Sequence, residues 1–300
     1  MKGEPMKMKY HVLYNPQAGN GNGLAQAKKL EAVLPEASIE FVDVTKLEGY
    51  SEFIEGVPSD DGIVLTGGDG TLNRFINDCN DAGSLDKVLS HEIQYYAAGT
   101  GNDFLRDLGI ENMEKPIAIN EYLKGLPTVE VKGRKYLFLN GVGYGIDGYC
   151  CEEGDRLKEK SDKPVNYTSI AIKGLLLHYK PTSATVTVDG VKHTYKHVWL
   201  APAMNGRFYG GGMIPTPSQD RLSNPRKLSV MVFRSASKLK ALMVFPSIFK
   251  GEHIRKTKVV EVLSGKDITV EFDRPSPLQI DGETITGVSS YHATAAESLN

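Results

Sequence analysis

Along the first 125 residues, short unbroken apolar runs alternate with stretches whose apolar positions recur every three to four residues. The first texture suits strands buried on both faces and the second suits amphipathic helices. Tyr10–Tyr14 is the first run and ends at Asn15-Pro16. A loop, QAGNGNG, carries Gly19, Gly21 and Gly23, and Leu24, Ala27, Leu30, Val33 and Leu34 then mark a helix closed by Pro35. Ile39–Val44 reads as a second strand, and Ser51 is a candidate cap for a short helix. Residues Gly62 to Asn77, GIVLTGGDGTLNRFIN, hold the whole pattern in one unit. Ile63, Val64 and Leu65 form the strand, Gly67, Gly68, Asp69 and Gly70 the turn, and Leu72, Phe75, Ile76 and Cys79 follow at helical spacing. Another strand near Ile93–Ala98 ends in a second glycine turn, GTGNDF, with Phe104, Leu105 and Leu108 behind it. Pro116 suits the first turn of a helix over Ile117–Lys124. This alternation predicts a parallel sheet covered by helices, with ligand loops at the carboxyl ends of the strands. Asn15–Gly19, Gly67–Thr71 and Gly99–Asp103 are therefore expected at one crevice.

After Pro127 the pattern changes to short β-like runs: Val129–Val131, Tyr136–Asn140, Ala184–Val188, His197–Ala201, Leu228–Phe233, Lys258–Leu263 and Ile268–Phe272. Asp189-Gly190 and Asp281-Gly282 are hairpin-turn signals between such runs. The expectation is an α/β domain over residues 1–127 and an all-β sandwich over 128–300, the last residues free to return to the first domain. Helical inserts are expected at Asn166–Tyr179 and at Lys238–Phe249, the latter broken by Pro246. Gly143-Tyr144-Gly145-Ile146-Asp147-Gly148 satisfies G-x-G-x-x-G, but its place in the β-rich half reads as a bend and not a dinucleotide site.

Composition narrows the function. A chain of 300 residues with 40% hydrophobic and 24% charged residues is of ordinary globular type, and a net charge of −2 argues against nucleic acid as partner. The charge is uneven, however: Arg226, Lys227, Arg234, Lys238, Lys240, Lys250, Arg255, Lys256 and Lys258 face one acid, Glu252, over the stretch from Arg226 to Lys258. Such a stretch can meet an anionic membrane or phosphates, or be a solvated face. Cys79, Cys150 and Cys151 form no metal or disulfide pattern, which fits a reducing compartment. The first residues have no long apolar core and no stretch approaches the length of a membrane span, so the expected location is cytoplasmic, with peripheral contact at the inner membrane face. GxxxxGK[ST] and a serine-hydrolase elbow are absent from the sequence.

Two places carry candidate chemistry. Glycines in a strand-to-helix turn let backbone approach a ligand closely, and the amides and positive end of the helix that follows favour an anion, most often phosphate. Asp69 in that turn would repel a bare phosphate, so a metal or water is expected between them. The second place is Asp281 and Glu283 in LQIDGETI. Asp-Gly is a common hairpin turn and Glu283 can be a solvated strand residue. Alternatively one of the two takes a proton from a substrate hydroxyl. Spacing alone does not choose.

Taken together, Asn15-Pro16-Gln17-Ala18-Gly19, Thr66-Gly67-Gly68-Asp69-Gly70-Thr71-Leu72-Asn73, Gly99-Thr100-Gly101-Asn102-Asp103-Phe104 and Asp281-Gly282-Glu283 resemble the diacylglycerol kinase catalytic-domain family in order and spacing. Sphingosine and ceramide kinases are relatives, and the GGDGT element is shared with NAD kinases. The resemblance implies ATP bound between an NAD-kinase-like α/β domain and a β-sandwich. It carries nucleotide contacts onto Asn15, Pro16, Gln17, Ala18, Gly19, Thr45, Gly67, Gly68, Asp69, Gly70, Thr71, Leu72, Asn73, Arg74, Thr100 and Asn102. It makes Glu283 or Asp281 the general base of a lipid kinase, and Asp69, Asp103 and Glu130 the carboxylates that organise Mg²⁺. The implied partner is a lipid at the membrane surface, and a homodimer stays open. Two departures stand out. Many relatives read GGDGT-x-x-E, where this chain has Arg74. The P-x-A-x-x-x-D-G-x-L segment that holds a structural Mg²⁺ in relatives is replaced after Gly210-Gly211-Gly212 by PTPSQDRLSNPRKL; Asp220 could substitute as ligand only at altered spacing, and the expectation is that this second metal site is lost. A kinase of a soluble hydroxyl compound such as NAD, and a nucleotide-binding regulator without transfer activity, are the rival readings.

Overall fold

In the computed structural model the described residues are 8–97, 102–111, 113–158, 170, 173–174 and 179–297, with residues 19 and 20 described in backbone only. The Gly99–Gly101 part of the second glycine turn lies outside them, as does most of the expected insert at Asn166–Tyr179. Two compact units divide the chain: residues 1–102 with 109–124, and residues 103–108 with 125–300.

The first unit is a five-stranded sheet in the order β2-β1-β3-β4-β5. Its strands are β1 (Lys9–Tyr14), β2 (Ser38–Asp43), β3 (Gly62–Gly67), β4 (Ile93–Ala97) and β5 (Ile117–Ala118). The first four are parallel, and β5 joins β4 antiparallel. Alternate side chains leave a strand on opposite faces. Val12, Val64 and Tyr96 pack with Ala27 and Leu30 on one face. His11 meets Phe53 edge-on, and Tyr50 meets Phe75 in the same way. The Asp69–Asp81 helix buries Leu72, Phe75, Ile76 and Cys79, the positions that helical spacing selects.

Three local expectations are corrected. The QAGNGNG loop contains a helical turn, Ala18–Gly21, ended by Gly21 at φ +83°, and the single helix expected after it is two short ones, Gly23–Ala27 and Leu30–Val33. Ser51 does not cap the Tyr50–Glu55 helix; it is buried and hydrogen-bonded to Ser84, while the Tyr50 amide donates to Asp78 Oδ2 at 2.7 Å. Ile117 and Ala118 extend the sheet instead of starting a helix, which runs over Asn120–Leu123. The Asn120 side chain accepts from the Ile93 amide and donates to the Leu89 and His91 carbonyls, and so sets that boundary.

The second unit is an antiparallel β sandwich or barrel. Its strands are β6 (Thr128–Val131), β7 (Arg134–Leu137), β8 (Gly141–Tyr144), β9 (Thr182–Val188), β10 (Val191–Leu200), β11 (Ala203–Met204), β12 (Leu228–Arg234), β13 (Val260–Gly265), β14 (Asp267–Ile280) and β15 (Glu283–Thr294). The order is β7-β6-β15-β14-β8-β11-β12-β10-β9, with β13 on β12 and β9 returning to β14. That last pairing closes a ring of six strands, and closure removes exposed edges. Val142, Tyr144, Val186, Val230, Ile268, Leu278 and Tyr291 fill its core.

The G-x-G-x-x-G segment is also corrected. It is not a bend alone: β8 runs through Gly143, Gly145 turns at φ +114°, and a helix occupies Ile146–Lys158. β8 is antiparallel to both neighbours, so this strand–turn–helix is not part of a parallel β-α-β unit.

Candidate active site

In the first unit the register aligns the carboxyl ends of the strands. Tyr14 stands opposite both Asp43 and Thr66, and Gly67 stands opposite Ala97. The segments that follow leave the same edge: Asn15–Ala18 after β1, Thr45 after β2, and Gly68–Arg74 after β3. The Asn15 side chain accepts from the Gln17 amide at 2.9 Å, which folds this segment into a turn. Gly23 lies so close to the Asn15 carbonyl that a Cβ could not fit, so glycine is required where the next helix begins. Thr45 sits in a 3₁₀ turn whose Asp43 cap accepts from both its amide, at 3.0 Å, and its hydroxyl, at 2.7 Å.

The turn after β3 is the most constrained. A Cβ on Gly67 would collide with the Thr71 side chain. The Tyr95 hydroxyl donates to the Gly67 carbonyl at 2.8 Å, and Thr66 Oγ1 donates to the Leu13 carbonyl at 3.0 Å. These bonds fix the turn from below. Burial raises the Tyr95 pKa well above its usual value, and the Asp69 carboxylate adds to this, which places a negative charge near that hydroxyl. Gly68 is the N-cap of the Asp69–Asp81 helix and supplies no side-chain cap. A 13-residue helix thus begins at the carboxyl edge with its positive end uncovered by a side chain. Thr71 and Asn73 are buried and Arg74 is exposed. Asn102 belongs to this unit, whereas Thr100 lies outside the described residues.

In the second unit the Asp281-Gly282 pair turns at φ +47° and +99°, as a two-residue hairpin between β14 and β15 demands. Asp281 Oδ2 accepts from the Leu139 amide at 2.5 Å, and Oδ1 accepts from the Asn140 and Gly141 amides at 2.8 and 2.9 Å. The Asp281 amide in return donates to the Gly141 carbonyl. Glu283 opens β15, opposite Ile280, and is exposed. Gly282 donates its amide to Gln279 Oε1 at 2.6 Å, and Thr284 Oγ1 donates to Asp155 Oδ2 at 2.8 Å. The two carboxylates of the motif therefore differ in kind: Asp281 clamps Leu139–Gly141, and Glu283 stands at the strand end.

The other acids implied as metal ligands are divided between the two units. Asp69 is in one unit, and Asp103, Glu130 and Asp220 are in the other. Among the described residues no group of three or more His, Cys, Asp or Glu side chains is placed to hold a metal. Asp103 is buried; it accepts from the Gly211 amide at 2.7 Å and from Arg106 at 3.1 Å. Burial raises its pKa, against the pull of those donors. Glu130 is exposed on β6, and Asp220 is exposed in a turn where Oδ1 accepts from the Leu222 amide.

Sequence reading overlooked the residues that hold the Leu139–Gly141 segment from its other side. Arg221, buried beside Asp220, donates to the Asp107 carboxylate, the Leu139 carbonyl and Asn140 Oδ1. Arg207 also donates to Asp107, at 2.8 Å. Burial opposes the charge on Asp107, yet Arg221 and Arg207 hold its pKa below the ordinary value. No spacing signal links positions so far apart in the chain. Asp147 was overlooked as well. It is buried, and neither carboxylate oxygen completes a hydrogen bond among the described residues. Burial pushes its pKa up to about 6, only partly offset by the Gly148 amide, the Tyr209 hydroxyl and the Gln279 amide beside it.

Residues 9–130 match the model of the diacylglycerol kinase catalytic domain, and residues 140–299 match that of the YegS C-terminal NAD kinase beta sandwich-like domain. "Putative lipid kinase YtlR" of Bacillus subtilis is 24% identical, covering 96% of this chain and 97% of that protein. A Mycobacterium tuberculosis protein named diacylglycerol kinase is 25% identical, covering 89% and 85%. The crystal structure of "a putative diacylglycerol kinase" from Bacillus anthracis aligns with a TM-score of 0.65 at 20% identity over 99% of this chain and 96% of that one, a likeness of fold.

Proposed function

This chain belongs to the lipid-kinase-like family that joins a diacylglycerol kinase catalytic domain to a YegS-type β-sandwich domain, and from that premise we propose that it transfers the γ-phosphate of ATP to the hydroxyl of a diacylglycerol-like lipid. The observation that carries the reading is the edge built by Asn15–Ala18, Thr45 and Gly67–Arg74. Polar turns leave three adjacent parallel strands there beside a helix start without a side-chain cap. Such an edge suits a nucleoside triphosphate, whose phosphates accept from backbone amides and are stabilised by the helix dipole. Phosphoryl transfer depends mainly on positioning and charge neutralisation.

Mg²⁺ fits this edge without a cage of acids, because it is held by one or two carboxylates, substrate phosphates and water. Asp69 is the residue that would hold it, and the ion would neutralise phosphate charge. Asp103 is a poor candidate, its oxygens already accepting from Gly211 and Arg106. Glu283 is the general base. It accepts the proton of the acceptor hydroxyl as the oxygen attacks phosphorus, a contribution of about 10²–10⁴-fold. Asp281 is a positioning residue, since three backbone amides occupy its carboxylate.

The test is transfer of labelled γ-phosphate from ATP and Mg²⁺ to lipids in mixed micelles, with diacylglycerol, a sphingoid base and phosphatidylglycerol beside NAD. Label in diacylglycerol is expected. Label in NAD alone would move the chain to the soluble-acceptor kinases. ATP binding with no label in any acceptor would favour a regulatory protein, in which Arg74 marks the departure.

A further inference from the structure

The segment from Lys238 to Arg255 has two contrasting faces. Ser237 caps the Lys238–Val244 helix by accepting from the Lys240 amide at 3.3 Å. Ala241 and Val244, with Phe245 and Ile248 of the 3₁₀ turn that follows, are buried against Trp199, Met231, Phe233 and Val259. Leu239 and Met243 are four residues apart and share a different face. Each is 67% exposed, and among the described residues no large apolar side chain is more so. Ile254, in the next 3₁₀ turn, is 40% exposed. Lys238, Lys240, Lys250, Arg255, Lys256 and Lys258 are all exposed around these positions in the chain, against one acid, Glu252.

A solvated face usually mixes both signs of charge, and a polyanion-binding face has no use for exposed leucine and methionine. Apolar side chains on one stripe with flanking lysines are the pattern of a helix lying in the plane of a membrane interface. No helix among the described residues is long and apolar enough to cross one.

We infer that the Lys238–Val244 helix and the basic turns after it form the face by which this protein sits on an anionic bilayer. Leu239 and Met243 enter the boundary between headgroups and acyl chains. The lysine stems lie along the apolar surface while their ammonium groups meet lipid phosphates. The charge complementarity selects a bilayer as the occupant. The inference rests on the lipid-kinase reading for its purpose, since the acceptor of such a kinase resides in a membrane.

The experiment is sedimentation of the full chain with phosphatidylcholine vesicles with and without phosphatidylglycerol. The wild type is expected on the phosphatidylglycerol vesicles, with binding that weakens as salt rises. Leu239→Ser with Met243→Ser should lower the partition coefficient by about tenfold or more. Lys238→Ala and Lys240→Ala should lower it by about fivefold each and flatten the salt dependence. All four side chains are exposed, so melting temperatures should stay at the wild-type value, as should the rate on a dispersed short-chain diacylglycerol. Wild-type partition by the Leu239/Met243 variant would overturn the inference. So would a wild-type dimer that this variant dissociates, which would assign the face to a second copy. Binding to RNA that depends on the lysines but not on Leu239 and Met243 would also overturn it. Vesicle binding that behaves as expected, with no transfer to any acceptor, would support the docking face and remove the kinase reading.

Discussion

Two glycine turns carry the acids of the proposed site, and they treat those acids in opposite ways. The Gly67-Gly68-Asp69-Gly70 turn is fixed from beneath, by Tyr95 on the Gly67 carbonyl and by Thr71 packed where a Cβ would be. Its helix start has no side-chain cap, so its polar groups suit a ligand. The Asp281-Gly282-Glu283 turn is held from within the motif. Asp281 satisfies three amides of Leu139–Gly141 and leaves the next acid, Glu283, exposed at the strand end. An acid in a turn is therefore read by where its lone pairs go. Proximity in sequence gives Asp281 and Glu283 equal standing, and the three amides from which Asp281 accepts mark it as the clamp.

The largest effect that tests this contrast belongs to Glu283→Gln. It keeps size and position but removes the proton acceptor, so kcat should fall by about 10²–10⁴-fold. ATP affinity and melting temperature should remain near wild type, because a base acts in the transition state and not in nucleotide binding. Near-normal turnover would take Glu283 out of the mechanism. Asp281→Asn should act through stability. Asparagine tolerates the φ of +47° and keeps Oδ1 for Asn140 and Gly141, but its amide presents a donor to the Leu139 N–H. One buried donor left unmatched costs about 1–3 kcal/mol, read by urea unfolding. A variant as stable as wild type yet inactive would exchange the roles of the two acids. Asp69→Asn should raise the Mg²⁺ concentration needed for half-maximal rate by roughly tenfold, a smaller change because phosphates supply most of the metal's oxygen ligands. Unchanged Mg²⁺ dependence would remove Asp69 from that role.

The contrast also explains what could be read from the sequence. Residues 62–77 were legible because each level agrees: an apolar run, glycines at the turn, and apolar positions at helical spacing that become the buried face of the Asp69–Asp81 helix. The Asp281-Gly282 turn was legible from local backbone preference. What escaped depends on contacts remote in sequence. Asp78 caps a helix 28 residues earlier, and Arg221 pairs with Asp107 across 114 residues. Ile117 and Ala118 have helix-compatible neighbours, but they complete the edge of β4. The Gly141–Tyr144 strand is short, and its glycines hide its period; Gly143 is glycine because Asp147 and Gln279 occupy the space of its Cβ.

That crowding leads to the smallest of the expected effects, at Asp147. Its ordinary pKa of 3.8 is raised to about 6 in the folded protein, so folding favours its protonated form. The stabilisation from the neutral acid is complete below pH ~4 and is lost as pH rises through about 6, where the buried carboxyl must ionise. Between pH 5 and 7 this amounts to about 1 kcal/mol of folding stability. Asp147→Asn holds the site neutral at every pH and should remove that slope, so the variant gains on the wild type as pH rises from 5 to 7. The readout is the difference in urea-unfolding free energy between variant and wild type at the two pH values, which cancels groups common to both. A constant difference would show that Asp147 ionises as freely in the fold as in the unfolded chain. Its neighbours on Gly148, Tyr209 and Gln279 would then be matching its charge as fully as the amides of Leu139–Gly141 match that of Asp281.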